Sequence, residues 1–540
     1  MINFYKRTKF ACIMQIALCV LFIAGCDLFT NPKSEPERQQ SSSESHDKHN
    51  INPADSSSAP ILLPKNVVIV SNVTHIEQKP DFCGEACVAM YLRSLGYKIT
   101  QDDVFNMSKT SPNLGRGCYA PDLYRALKAI GFKLEPTDEI WHWLKDLNDT
   151  QAKQKMESRF NKIVKNMRAG YPSICCMHWY ESPKSPEHFR LLIGYDPESE
   201  TVYYLEPASE NKAIHQMSKS DFFKIWPIGQ AGNKCLVTFT LKPGNIKIPR
   251  QPKPKFKTLK YKYGETFHDK KIKIREFTNA DYAQHIMKLK KKPAGKNMTY
   301  IVCKPFVVAG NMSNYHLQQN VKNVVKWAAQ KYRKQYFNYN PDDILTIYLM
   351  RNKTTYEQAC RNLMNFTPET PYGFFSSSNK LLMMNIATGG GTLVHEMFHA
   401  YVPANFPAMP AWCNEGFASL YEQCNTRNGK IIGLVNWRLP GLQTAIKNKR
   451  TIPLKELIST TTDEFYGPNS GLNYAMARYL CYYLQQKGKL NKFYKTFAAN
   501  QEKDPTGLNS LLKVLEIRED QLPAFQKKWE AWCAKLRFGR

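Results

Sequence analysis

Residues 78–96 read QKPDFCGEACVAMYLRSLG. Pro80, Asp81 and Gly84 mark a turn. Cys87, Val88, Tyr91, Leu92 and Leu95 then recur at helical spacing, and Gly96 suits the position just past a helix end. This spacing puts Cys83 at or near a helix N-terminus, where the positive end of the dipole favours thiolate. Gln78, five residues upstream, could donate its amide N–H to an oxyanion. Cys87, one turn further on, is expected in the core or in a disulfide.

Moving outward, HFRLLIGYD (188–196) and TVYYLEP (201–207) are rich in β-branched and aromatic residues. They predict a hairpin around Asp196-Pro197. Antiparallel pairing would bring His188, at the start of one strand, beside Glu206, at the end of the next. An imidazole beside a carboxylate is the base and orienter that a thiol nucleophile requires. His178 reads as structural.

This block resembles the papain-like peptidases that remove double-glycine leaders from bacteriocins, and their stand-alone relatives. The resemblance covers most of residues 70–215 and rests on Gln78, Cys83-Gly84, Gly170-Tyr171-Pro172-Ser-Ile and His188. It implies Cys83 as nucleophile, His188 as base and Gln78 at the oxyanion. The family usually carries Asp-Pro after the hairpin. Here Glu206-Pro207 stands there, with Asp196 as the competing third member.

A second motif lies at 388–402, TGGGTLVHEMFHAYV. Its pattern after the glycines is helical and is expected to stop at Pro403. His395 and His399 are one turn apart on one face, so both can reach one metal, with Glu396 beside them. Downstream, PAWCNEGFASLYE (410–422) reads as a second helix carrying Glu415 in its first turns. Two His and one Glu leave a fourth tetrahedral position for water, the catalytic arrangement for zinc.

This pattern resembles the gluzincin metallopeptidases at His395, Glu396, His399, Trp412, Glu415 and Gly416. The resemblance implies zinc on His395, His399 and Glu415, and Glu396 as base. It also implies an oxyanion donor on a later helix: Tyr474 first, Tyr466 in reserve. Met383–Ile386 could be the edge strand that pairs with an extended substrate, or a strand of ordinary core.

The remainder sets the frame. The chain has 540 residues, 75 Lys+Arg against 46 Asp+Glu, and a net charge of +29. A 43% hydrophobic and 12% aromatic share argues against general disorder, and no collagen or coiled-coil bias is present. Lys6, Arg7 and Lys9 precede an apolar run at 11–25, shorter than the ~20 residues of a membrane span. The Ile-Ala-Gly-Cys26 that ends it resembles a bacterial lipobox, which implies a lipid on Cys26 and a membrane-anchored lipoprotein of the cell envelope, on its periplasmic or extracellular face. Residues 31–60 hold eight Ser, four Pro and no aromatic, a composition that reads as a disordered tether. Of 15 Cys, 12 follow Cys26, and some are expected to pair under oxidising conditions. Residues 241–300 carry 17 Lys+Arg and 4 Asp+Glu. They read as a basic linker that could touch an anionic surface; nucleic acid is not expected, since no nucleic-acid fold signature accompanies the charge.

The expected organisation is a signal peptide (1–25), a lipidated tether (26–64), a papain-like domain (65–245), a basic linker (246–297) and a gluzincin-like domain (298–540). The fold class is α+β: a papain-like cysteine peptidase domain, then a mainly helical zincin-like domain with a small mixed sheet. The function expected is hydrolysis of peptide or protein substrates. The alternatives are a degenerate pair that binds peptides or envelope polymers, and a transglutaminase-like acyltransferase in the first block.

Overall fold

The computed structural model describes residues 66–539 except 183, 230–232, 250–254, 264–265, 275 and 296. The segments read as signal, lipidation site at Cys26 and tether lie outside the described residues. No described helix is long and apolar enough to cross a membrane.

The first unit is built on a seven-stranded sheet. The strands run in the order Trp141–Trp143, Cys235–Thr240, Ser173–His178, Glu187–Asp196, Thr201–Leu205 and His215–Ser218, with Val68–Ile69 paired onto Glu187–Asp196. Every neighbour pair is antiparallel. The central strands Ser173–His178 and Glu187–Asp196 are buried almost throughout, and each carries a short apolar run, Ile174–Met177 and Leu191–Ile193. Helix Cys83–Ser94 packs on Glu187–Asp196, with Val88, Tyr91 and Leu92 in the core. Tyr91 and Leu92 therefore face inward as the helical spacing predicts, while Leu95 is exposed.

The second unit has a mixed five-stranded sheet in the order Thr299–Cys303, Phe306–Gly310, Leu345–Met350, Leu381–Asn385, Gly373–Ser376. The outer pairs are antiparallel and the inner ones parallel. Period-two alternation divides the strands between two cores. Val308, Ile347, Leu349, Leu382 and Met384 face the large helical core that holds Leu393, Phe398 and Trp412. Val307, Ala309, Tyr348, Met350 and Met383 face a smaller core with Tyr282, Ile286 and Tyr356. Leu381–Asn385 is thus an inner strand, buried on both faces, and not the edge. The edge beside it is Gly373–Ser376, and the opposite edge is Thr299–Cys303. Among the described residues the helical content after the sheet is high, from Gly391–Asn405 to Leu522–Lys535. Pro403 lies within the last turn of Gly391–Asn405 and does not stop that helix. So near the end it removes only one backbone bond.

The stretch read as a linker carries structure. Lys255–Tyr263 and Thr266–Ile274 form a hairpin, and Asn279–Lys290 a helix opened by a Thr278/Asp281 capping box. This helix places Ala280, Ala283 and Met287 in the core of the first unit, and Tyr282, Ile286 and Leu289 in the smaller core of the second. A basic composition concealed a two-sided apolar helix that joins the units. Asn106 Oδ1 accepts from Ala280 N (3.0 Å) and Asn113 Oδ1 from Val302 N (2.8 Å), which extends the same junction.

The twelve described cysteines are all unpaired, ten of them buried. The expected disulfides are absent among them. These thiols act instead as small apolar fillers of the cores.

Candidate active sites

The turn before Cys83 is tightly held. Phe82 stacks on Phe105 (5.0 Å between centroids), Asp81 adopts a left-handed φ of 61°, and its Oδ2 accepts from Gly117 N (2.7 Å). A Cβ on Gly117 would lie 1.7 Å from Asp81 O, so only glycine allows this approach. Cys118 N donates to Glu85 Oε1 (2.8 Å) one residue further on. Cys83 is then the first residue of its helix.

His188 Nε2 meets Glu206 Oε1 at 2.5 Å, and the other oxygen, Oε2, accepts from Arg190 Nε at 2.7 Å. Gln78 N donates to Pro207 O (2.8 Å), and His75 Nε2 lies 2.8 Å from Glu206 O, so the segment carrying Gln78 is fastened beside the hairpin end. Gln78 Oε1 is buried without a hydrogen-bond partner. Asp196 lies at the far end of the strand. It accepts from Ser199 Oγ (2.6 Å) and Glu198 N (3.0 Å), so it shapes the hairpin turn while Glu206 pairs with the imidazole. His178 Nδ1 contacts Ser185 O (3.0 Å).

Electrostatics here differ from the sequence expectation for Cys83. Burial pushes its thiol up to about 12, against the lowering effect of a hydrogen bond to the Phe189 backbone; Glu85 and Asp81 push it further up. The helix terminus is outweighed, because the chain around it supplies carboxylates and removes water. Burial also lowers His188, against the opposing pull of Glu206, and Arg190 adds to the lowering. Burial would raise Glu206, but the His188 hydrogen bond and the charges of His188 and Arg190 hold it down at about 2.

In the second unit, helix Gly391–Asn405 presents His395, Glu396 and His399, and helix Ala411–Leu420 presents Glu415. A Cβ on Gly391 would lie 2.1 Å from Glu422 O, so this glycine lets the two helices' ends meet. Ligand atoms of His395, His399 and Glu415 all lie within 4.8 Å of one another. The two Nε2 atoms are 3.0 Å apart, and Glu415 oxygens stand 3.2 Å from His395 Nε2 and 3.5 Å from His399 Nε2. Glu415 Oε2 is buried with no hydrogen-bond partner. Two nitrogens and a carboxylate oxygen converging on one buried point suit a zinc ion by donor type and number.

Around them, His399 Nδ1 meets Asn414 Oδ1 (2.8 Å), and His395 Nδ1 lies 3.5 Å from Glu422 Oε1. Glu422 is gripped by Arg438 Nε (3.0 Å) and Nη2 (2.7 Å), and by Asn436 Nδ2 (3.0 Å). Tyr466 OH donates to Glu415 Oε1 (2.6 Å). Tyr474, the first choice from sequence, sits one ring away, 6.1 Å from Tyr466 and 4.8 Å from the Arg438 guanidinium. Phe375 N, on the edge strand, donates to Glu396 Oε2 (3.0 Å), and burial raises the Glu396 carboxyl.

Sequence reasoning missed Arg190, Glu422, Arg438 and Asn436. Arg190 had a signal: two residues after His188 on a strand, it shares that residue's face. Glu422 lies two helical turns after Glu415, a spacing equally common on plain solvent-facing helices.

Among known proteins, residues 70–231 match the model of the family described as Peptidase_C39 like family. No curated protein matches the chain. The match supports a papain-like cysteine peptidase domain in the first unit and suggests peptidase activity for it.

Proposed function

We propose that the chain hydrolyses peptide bonds at two sites, a zinc metallopeptidase centre in the second unit and a cysteine centre in the first. The observation that carries the first part is the convergence of His395, His399 and Glu415, with Glu396 on the adjoining position of the same helix. A bound zinc ion would lower the pKa of its water and polarise the scissile carbonyl. Glu396 takes the water's proton and hands it to the leaving amine. Tyr466 is the better placed hydroxyl to steady the oxyanion, with Tyr474 behind it. The edge strand Gly373–Ser376 offers its free side to an extended peptide.

In the first unit, His188 Nδ1 takes the Cys83 proton, and the thiolate attacks the carbonyl carbon. The Gln78 amide meets the oxyanion. His188 returns the proton to the departing amine, and water then cleaves the thioester. A second reading has a specific support: a Cys83 thiol pushed up by loss of water suits a domain that binds peptides without cutting them. Lipid on Cys26 would hold both centres at an envelope membrane, and the basic stretch 241–300 would add contact with an anionic surface.

The test is zinc analysis with a peptide-library cleavage assay on wild type, Glu396→Gln and Cys83→Ala. Two classes of cleavage, each lost in one variant, are expected. A metal-free protein with unaltered cleavage in Glu396→Gln refutes the zinc centre.

A further inference from the structure

The third member of the cysteine constellation is a glutamate, one methylene longer than the aspartate of the related family. That extra bond must be fixed if the carboxylate is to orient an imidazole. The hairpin supplies the means. Leu191 pairs with Leu205, so one step back Arg190 stands opposite Glu206, and His188 shares its face two residues earlier. The carboxylate is then divided. Oε1 takes His188 Nε2 (2.5 Å) and Ala208 N (3.1 Å), while Oε2 takes Arg190 Nε (2.7 Å).

Arg190 is itself immobilised. Its Nη1 donates to His178 O (3.3 Å) and its Nη2 to Trp179 O (3.2 Å). The guanidinium lies 5.3 Å from the Trp179 ring and 5.5 Å from the Tyr204 ring. Trp179 also packs edge-on against His188, 4.4 Å between centroids. His188, Arg190 and Glu206 are all buried.

We propose that Arg190 is a positioning residue of the cysteine site: it locks Glu206, which holds His188 with its proton on Nε2 and its Nδ1 lone pair free, and by neutralising Glu206 it disfavours a resting thiolate–imidazolium pair. The reasoning is electrostatic. Thiolate and imidazolium are stabilised together when a carboxylate has only the imidazolium to neutralise. Here the charge of Glu206 is already met by Arg190, so protonating His188 would place a second cation on one anion. Of the other groups facing the pair, Asp81 favours a protonated His188, but as a minor influence on it. Asp81 and Glu85, on the Cys83 turn and helix, oppose a thiolate, as does burial. Cys87 on the same helix and Cys176 on the neighbouring strand are buried thiols, and Asp81 is the other carboxylate facing His188. Transfer of the Cys83 proton to Nδ1 then accompanies attack on the substrate and does not precede it.

This inference rests on Cys83 and His188 as nucleophile and base, but its test reads the thiol itself. The full chain is treated with iodoacetamide across pH 5–10, and alkylation of Cys83 is followed by peptide mapping. Wild type should show no reactive plateau at acid or neutral pH, and a rate rising about tenfold per pH unit through the alkaline range. Arg190→Met should free Glu206 for His188 and raise the rate at pH 6 at least tenfold. Arg190→Lys, which keeps the charge, should stay near wild type, and Arg190→Gln, which should behave as Arg190→Met, serves if the Met variant fails to fold. A fast plateau in wild type at pH 5–7, or an identical profile in a folded Arg190→Met, overturns the proposal. Loss of the nucleophile assignment would show separately, as unchanged cleavage in Cys83→Ala.

Discussion

The two constellations treat buried charge in opposite ways. At the cysteine site the orienting carboxylate is fully partnered by the chain: Glu206 divides its oxygens among His188, Ala208 N and Arg190, while Gln78 Oε1 and Glu85 Oε2 nearby are buried without a hydrogen bond. At the histidine site two imidazole nitrogens face each other at 3.0 Å, and Glu415 Oε2 has only His395 Nε2, at 3.2 Å, beside it. Burying charged or polar atoms face to face is costly, so two imidazoles and a carboxylate converging in this way suit a cation held between them. On the proposed reading, the difference separates a centre whose orienting carboxylate is satisfied by the chain from one whose ligands would be completed by an ion.

The largest expected effects break this comparison at its centre. Glu415→Ala should lower bound zinc from about one per chain to a small fraction, read by elemental analysis after dialysis. Glu396→Gln should keep the metal and lose 10²–10⁴-fold in peptidase rate, roughly the share of a general base. At the other site, Cys83→Ala should abolish the metal-independent cleavage and leave zinc content untouched. If chelation removes all cleavage and Cys83→Ala none, the first unit binds peptides without cutting them.

Local spacing made much of both sites legible. His395, Glu396 and His399 fall within one helical turn or so, so periodicity alone brings those three together; Glu415 joins them through the packing of the next helix, which the motif resemblance and not the spacing implied. His188 and Glu206 meet because a hairpin has one simple register. What could not be read depends on contacts between distant segments. The Cys83 thiol is set by burial and by a carboxylate held to Cys118 N, which no helix-dipole argument contains. Whether Tyr466 or Tyr474 reaches Glu415 turns on how helix Thr462–Tyr466 docks, not on either residue's neighbours. Met383–Ile386 reads equally as an edge or as ordinary core because sheet order is not written in a strand; the apolar run of the strand Leu381–Asn385 is the available sign of an inner position. The 246–297 stretch read as linker because lysines masked Tyr282, Ile286 and Leu289 at helical spacing.

Sharper tests concern the supports. Glu422→Gln leaves Arg438 and Asn436 in place but weakens the charge beside His395 Nδ1. Metal affinity should fall about 10–100-fold, measured by chelator competition. The corresponding change at the other centre, Glu206→Gln, should leave zinc affinity unchanged, since nothing joins the two carboxylates.

The smallest effect is on stability, and its sign follows from Glu206. Burial would raise this carboxyl, but His188 and Arg190 hold it at about 2 in the folded chain, below the ~4.3 of an unfolded glutamate. A carboxylate depressed on folding adds stability that is fully present above the unfolded value and is lost as pH falls toward the folded one. The contribution of Glu206 should therefore be complete at pH 5 and above and decline between about pH 4.3 and 2. Denaturant titrations of wild type and Glu206→Gln, subtracted from each other, isolate it from the other carboxylates. The difference should shrink with acid across that window. A difference that stays constant from pH 6 to pH 2 would mean that Glu206 is not held ionised by Arg190 and His188, and the contrast between a self-neutralised centre and an unfinished one would lose its first half.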